Sequence, residues 1–273
     1  MNSAPARQPE PARDTLTDRE YWNAGYRRVA RSDGLPDLGD FRHLAEKRTV
    51  EAIEALDLTG KSVLELGAGD STILLTLARK WGRACTFAGL DYADAGCDSL
   101  RRRAESIGAA LSVFQADLFS PPPELLDRFD VVYSVGLVEH FTELERVLAA
   151  ARRFLKPGGL MFTLIPNLRG VYGPFVKRYN RAVYEIHNPH DLKSFRAGHE
   201  RAGLDVLRSG YLCSTHFGML SACFPSRSGR GWKLYGLLYR VTLALNLFES
   251  RVVKLPATAL LSPYLYTVSR PRA

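Results

Sequence analysis

A chain of 273 residues with 46% apolar and 24% charged side chains has ordinary globular composition, and one generous α/β domain with insertions is expected ahead of two full domains. Its cysteines, Cys85, Cys97, Cys213 and Cys223, form no Cys-x-x-Cys pair and stand at no His–Cys metal spacing, so they read as free, mostly buried thiols and no metal centre is expected. The net charge of +8 is uneven: Arg146 to Tyr184 holds eight Lys or Arg and no acid, and beyond Val206 Glu249 is the only acid. Such a basic half suits an anionic substrate, a membrane surface or simply a solvated face; nucleic acid is not expected, since the basic residues gather in no groove-reading or stacking motif.

Residues 1–14, rich in Pro, Ala and Arg, read as a disordered tail without the apolar run of a signal peptide, so a cytoplasmic location is expected. Residues 15–60 form a helical cap, with Tyr21, Trp22 and Tyr26 available to close over a ligand or to pack in the core. From residue 61 onward the apolar, β-branched runs 61–66, 86–91, 111–116, 129–134 and 159–165 are candidate buried parallel strands. Helical patterns at 71–81, 95–107 and 142–155 alternate with them, so the fold class is α/β with a doubly wound sheet.

The stretch VLELGAGDS, Val63 to Ser71, carries the functional signal: an apolar strand enters a glycine pair, Gly67 and Gly69, that opens a helix. Glycines there permit a tight turn and close approach of a ligand, and the helix start directs unpaired N–H groups at it. Glu65 and Asp70 bracket the turn, a pairing that repels a pyrophosphate and favours a cation. Asp91 ends the second strand 22 residues after Gly69, where a carboxylate accepts ribose hydroxyls in dinucleotide and other nucleoside sites alike. Asp117 follows the third strand as a base contact or a turn cap.

With LKPGG (Leu155 to Gly159) as the turn into the fifth strand, these motifs over residues 61–165 resemble the class I S-adenosylmethionine-dependent methyltransferases, with Ser71 where a third glycine often stands. The resemblance implies a Rossmann-like sheet of seven strands, mostly parallel with the last antiparallel. The sixth and seventh strands then fall at 205–213 and 263–268, in a methyltransferase domain over 61–273 with substrate or lid insertions at 166–190 and 214–260. It assigns S-adenosylmethionine, released as S-adenosylhomocysteine, to Glu65, Gly67, Ala68, Gly69, Asp91, Tyr92, Asp117, Leu118 and Ser134.

Methyl transfer to oxygen or nitrogen of a small molecule, anionic or aromatic, needs alignment and, for a hydroxyl or protonated amine, a base. His140 after the fourth strand is the candidate base, or it caps the following turn. Tyr21, Trp22, Tyr172, His187 and His190 are the candidate acceptor contacts; His187 and His190 have no evident third metal ligand. A sensor that binds the cofactor without catalysis, a modifier of lipids or glycans at a membrane surface, and an NAD-dependent oxidoreductase are the competing readings. The segment 231–253 puts Leu234, Leu237, Leu238, Val241, Leu245, Phe248 and Val252 on one helical face, read as core or lid packing ahead of membrane contact.

Overall fold

Strands whose two faces are both apolar must be covered on both sides, and the chain meets this demand by returning a helix after nearly every strand. The computed structural model describes residues 15–28, 34–224 and 227–272, so the expected tail 1–14 lies outside the described residues. In chain order the helices α1 (Arg19–Arg28) and α2 (Leu44–Glu54) precede β1 (Ser62–Leu66), α3 (Thr72–Trp81), β2 (Thr86–Asp91), α4 (Asp94–Ser106) and β3 (Ser112–Gln115). There follow β4 (Phe129–Val135), α5 (Leu144–Arg152), β5 (Leu155–Pro166), α6 (Tyr172–Tyr179), α7 (Arg181–Glu185), α8 (Leu192–Arg201), β6 (Leu204–Leu212), α9 (Gly229–Arg251) and β7 (Tyr264–Pro271).

The seven strands form one sheet in the order β3-β2-β1-β4-β5-β7-β6. β1 to β5 pair in parallel and β7 slots antiparallel between β5 and β6. The order reverses between β1 and β4, so a crevice opens at their carboxyl ends, where open α/β sheets bind ligands. One face buries Leu66, Leu90 and Val132 against Leu144, Val147 and Leu148 of α5. The other buries Val63, Phe87 and Tyr133 against Leu74 of α3 and Val50 and Ile53 of α2. The segment expected as a cap is thus also core. Each such leucine contributes roughly 1.5–3 kcal/mol of burial.

Two local expectations change. The helical pattern expected over 142–155 is α5 only over Leu144–Arg152, and LKPGG, expected as a turn, lies within β5. Residues 155–160 instead bulge from the sheet, Phe129 pairing Leu155 and Val131 pairing Leu160, with Gly158 supplying a φ of +78°. The two insertions also pack on each other, Leu168, Tyr172 and Val176 against Leu220, Phe224 and Tyr235.

α9 reverses the packing expected of it. Leu237 is 58% and Val252 67% exposed, with Leu234, Val241 and Phe248 also exposed. Its buried residues are Tyr235, Thr242, Asn246 and Glu249. The polar face turns inward because it has partners there: Ser214 donates to the Glu249 carboxylate, and the Phe217 N–H donates to Thr242 Oγ1 at 2.9 Å.

Candidate active site

The turn after β1 shapes the cofactor end of a cavity of about 690 Å³. Gly67 and Gly69 take φ of +67° and +44°, where an L side chain is strained. Ser71 caps α3, accepting from the Leu74 N–H at 3.0 Å, so the residue replacing a third glycine does a helix-cap's work. The Asp91 carboxylate accepts from the Gly69 N–H at 2.8 Å and the Ala93 N–H at 2.7 Å, which ties the second strand's end to the glycine turn. Burial outweighs these bonds and pushes its carboxyl up to about 6. Glu65 accepts from the buried Tyr133 hydroxyl at 2.8 Å. Asp117 accepts from the Phe119 N–H at 3.1 Å in an Asx turn.

Asp70 departs from the role of attracting a cation. Its carboxylate forms a buried ion pair with Arg103 of α4, so its charge is locally neutralised and its work is to hold α3 to α4.

α1 closes over the turn. Asn23 donates to Asp94 at 2.6 Å and accepts from the Ala95 N–H at 3.0 Å, locking α1 onto the start of α4. Trp22 and Tyr26 thereby become cavity wall.

Beyond the cofactor residues, the same cavity is lined by Leu35, Pro36, His43, Ala45, Glu46, Leu164, His216 and Tyr264. Glu46 Oε2 and His216 Nδ1 are both buried without a hydrogen-bond partner. Burial lowers the His216 pKa from its usual value, with the Glu46 carboxylate opposing, so the ring is neutral near pH 7. The loop bearing it is held from below: Cys213 turns the chain at φ +64°, and the His216 N–H donates to the Tyr172 hydroxyl at 2.8 Å.

Of the expected cofactor residues, Glu65, Gly67, Ala68, Asp91, Tyr92, Asp117 and Leu118 line this cavity. Gly69 lies beneath Tyr26. Ser134 is off the wall, its hydroxyl buried in β4 without a partner. Of the expected acceptor residues only Trp22 lines the cavity. Tyr21 is 45% exposed. Tyr172 is fully buried and its hydroxyl donates to the Leu261 carbonyl, a structural use. His187 and His190 lie off the wall, and so does His140, the expected base, whose Nδ1 sits 2.7 Å from the Ile186 carbonyl. His43, Glu46, His216 and Tyr264 went unremarked in the sequence. For Glu46 a signal existed: it shares a helical face with Val50 and Ile53, an acid within an apolar stripe.

The donor set tests the implied cofactor. Apart from Asp70, which Arg103 neutralises, the described residues of the wall include the carboxylates of Glu46, Glu65, Asp91 and Asp117 and no Lys or Arg. That potential suits a cationic nucleoside and opposes the pyrophosphate of a dinucleotide. S-adenosylmethionine fits this donor set, with Asp91, Asp117 and Leu118 all on the wall.

Comparison with known proteins agrees. Residues 63–159 match the family model described as a methyltransferase domain. The ubiquinone biosynthesis O-methyltransferase of Pseudomonas paraeruginosa is 29% identical over 109 residues, 40% of this chain and 46% of that protein, so the chain spans about half the length of the curated relatives it matches. Among solved structures, the geranyl diphosphate C-methyltransferase of Streptomyces coelicolor A3(2), in complex with Mg2+, geranyl diphosphate and S-adenosyl-L-homocysteine, superposes with TM-score 0.60 at 17% identity over 92% of this chain and 96% of that one. The [4+2]-cyclase SpnF superposes with TM-score 0.58 at 16% identity over 83% and 81%. At such identities these likenesses show the fold alone. With the glycine turn, the strand order and the family model in agreement, residues 63–159 form a methyltransferase domain of the S-adenosylmethionine-dependent class.

Proposed function

We propose that this chain moves a methyl group from S-adenosylmethionine to an oxygen or nitrogen of a small molecule with a neutral, apolar or aromatic body. The observation that carries this reading is the pair of residues Glu46 and His216, each with a buried, unpartnered polar atom, on the wall of the cavity that also presents Asp91. S-adenosylmethionine, when bound, supplies a methyl group made electrophilic by its sulfonium. Leu35, Pro36, Leu164 and Trp22 hold the acceptor's apolar body and exclude water, and such positioning supplies roughly 7–11 kcal/mol of a displacement barrier. His216, neutral, takes the proton from the acceptor hydroxyl or ammonium, and Glu46 stabilises the resulting imidazolium. The anionic acceptor that the basic C-terminal half suggests finds no Lys or Arg on the described walls, which is why a neutral one is preferred.

A second reading concerns where the acceptor resides. The exposed apolar stripe of α9 favours one presented at a membrane surface, as a lipid or lipid-linked glycan. Among the described residues no helix is long and apolar enough to cross a membrane.

Isothermal titration with S-adenosylhomocysteine, with NADH in parallel, followed by a labelled-methyl acceptor screen, tests the proposal. Binding of the first ligand alone, with transfer that falls about 10²–10⁴-fold in His216→Gln at unchanged cofactor affinity, is the expected result. Absence of S-adenosylhomocysteine binding to folded protein overturns the cofactor assignment. Binding without transfer to any acceptor favours the non-catalytic sensor.

A further inference from the structure

Behind the wall of the cavity, three side chains from two distant segments converge. Glu139 and His140 end the 3-10 turn Val138–His140 between β4 and α5, and His187 follows α7 in the first insertion. Their candidate donor atoms all lie within 4.8 Å of one another. Glu139 is 2% and His140 4% exposed.

The hydrogen bonds around this cluster settle what the donors are. His140 Nδ1 lies 2.7 Å from the Ile186 carbonyl and His187 Nδ1 lies 2.6 Å from the Val183 carbonyl. A carbonyl only accepts, so each Nδ1 carries the proton and each Nε2 keeps a lone pair. Metal-bound histidines are oriented in this way, the second ring nitrogen donating to a carbonyl or carboxylate. The third member, Glu139 Oε2, is buried without a hydrogen-bond partner. A buried carboxylate with an oxygen left unpartnered is costly unless it is neutralised, either by a proton or by a cation.

The backbone is already braced for such a role. The Asn188 N–H donates to the Glu139 carbonyl at 2.6 Å, and the Leu16 N–H donates to the His140 carbonyl at 2.7 Å. The Trp22 ring meets His140 edge-on at 5.0 Å between centroids, and His187 packs on His140 at 4.6 Å. The cluster therefore sits where the first insertion, the turn after β4 and the N-terminal segment meet.

We infer that Glu139, His140 and His187 bind one first-row divalent transition-metal ion, with zinc the ion of choice, through one carboxylate oxygen and two Nε2 atoms. Two imidazoles and a carboxylate are a donor set that zinc takes, leaving a further position for water. Tetrahedral bonds of about 2.1 Å need donors about 3.4 Å apart, so the three side chains, whose candidate donors lie within 4.8 Å of one another, have to close on the ion. The ion would act as a clasp: it joins the insertion to the turn between Leu137 and Phe141, both of which line the cavity. His140 is then a ligand and not the base. The inference does not depend on the methyl acceptor or on the role proposed for His216.

The test uses the full chain, free of any affinity tag, stripped with a chelator and titrated with Zn2+ alone by calorimetry, with a Co2+ absorption spectrum as a second readout. One ion per chain is expected, with a Co2+ spectrum of four- or five-coordinate nitrogen and oxygen ligation and a rise in melting temperature on Zn2+ addition. His187→Ala and Glu139→Gln should each weaken binding about 100-fold or more, beyond what loss of an outer partner costs, whereas His190→Ala should not. If a variant fails to fold, the Co2+ spectrum of the parent still decides. A folded parent that binds neither ion, or that binds equally well in both variants, overturns the assignment.

Discussion

Tyr26 lies directly over Gly69: a methyl group added at that glycine would sit 1.9 Å from the phenol oxygen. The same ring lies within 2.8 Å of a Cβ placed at Gly96, so one side chain of α1 fills the space between the glycine turn and the start of α4. The lid and the turn are therefore one packing unit.

Gly69→Ala should disturb both. Its φ of +44° costs an alanine about 1–3 kcal/mol, and Tyr26 must move as well. S-adenosylhomocysteine affinity should fall about tenfold to 100-fold by calorimetry. Adding Tyr26→Ala to the glycine variant should recover part of the loss, because the clash disappears and only backbone strain remains. No recovery in the double variant would mean that the ring does not seat on the turn.

Asp91 sets a pH dependence. Its carboxyl is pushed up to about 6 by burial, above the value of about 4 in an unfolded chain. The folded state therefore holds this proton more tightly, and the free protein gains stability from this group as pH falls from above 6 towards 4. Cofactor affinity should move the other way, since protonation removes an acceptor for the ribose hydroxyls. Titrations of S-adenosylhomocysteine between pH 8 and pH 5 should show affinity dropping through about pH 6, and Asp91→Asn should be weak and flat across the range. A parent profile as flat as the variant's would remove Asp91 from the site.

The Arg103–Asp70 pair should behave as a structural bond. Removing one partner strands a buried charge, so Arg103→Ala should lose about 3–5 kcal/mol in urea denaturation. The double change Arg103→Met with Asp70→Leu should lose distinctly less, since no charge is left unpaired. Equal losses would place the effect in packing and not in the ion pair.

These contrasts show what could be read from the chain in advance. Strands such as 86–91 were legible because apolar β-branched runs bounded by turns have few alternatives, and Asp91 was legible because its place is tied to the strand end. The acceptor end was not, because His216 and Glu46 stand 170 residues apart and meet only through tertiary packing. His140 misled for the related reason that strand order gives its rim position but not its direction: its ring turns to Ile186, away from the cavity. α9 misled because periodicity identifies an apolar face without saying which side of the helix finds partners. Tertiary bonds such as those from Ser214 and Phe217 turn its polar face inward.

That exposed face yields the last prediction. Leu234, Leu237, Val241 and Phe248 recur along α9 at helical spacing, and Lys233, Arg240 and Arg251 run beside them, all exposed. The helix's single acid, Glu249, is buried on the opposite side, so no exposed acid of the helix offsets these cations. Leu260 and Leu261 extend the apolar surface beyond the helix end. An apolar stripe bordered by cations complements an anionic bilayer surface, where the leucines enter the acyl boundary and the basic row meets lipid phosphates. A second copy of this chain would bring its own basic row against the first, which disfavours a tight self-pairing through this face. The protein should therefore cosediment with vesicles containing phosphatidylglycerol and not with pure phosphatidylcholine, and the binding should weaken as salt is raised. Leu237→Glu with Val241→Glu should abolish cosedimentation while leaving S-adenosylhomocysteine affinity intact, since neither side chain lines the cavity. A monomer that ignores anionic vesicles, or a dimer that the double variant dissociates, would refute membrane docking through α9 and leave a freely diffusing acceptor as the surviving reading.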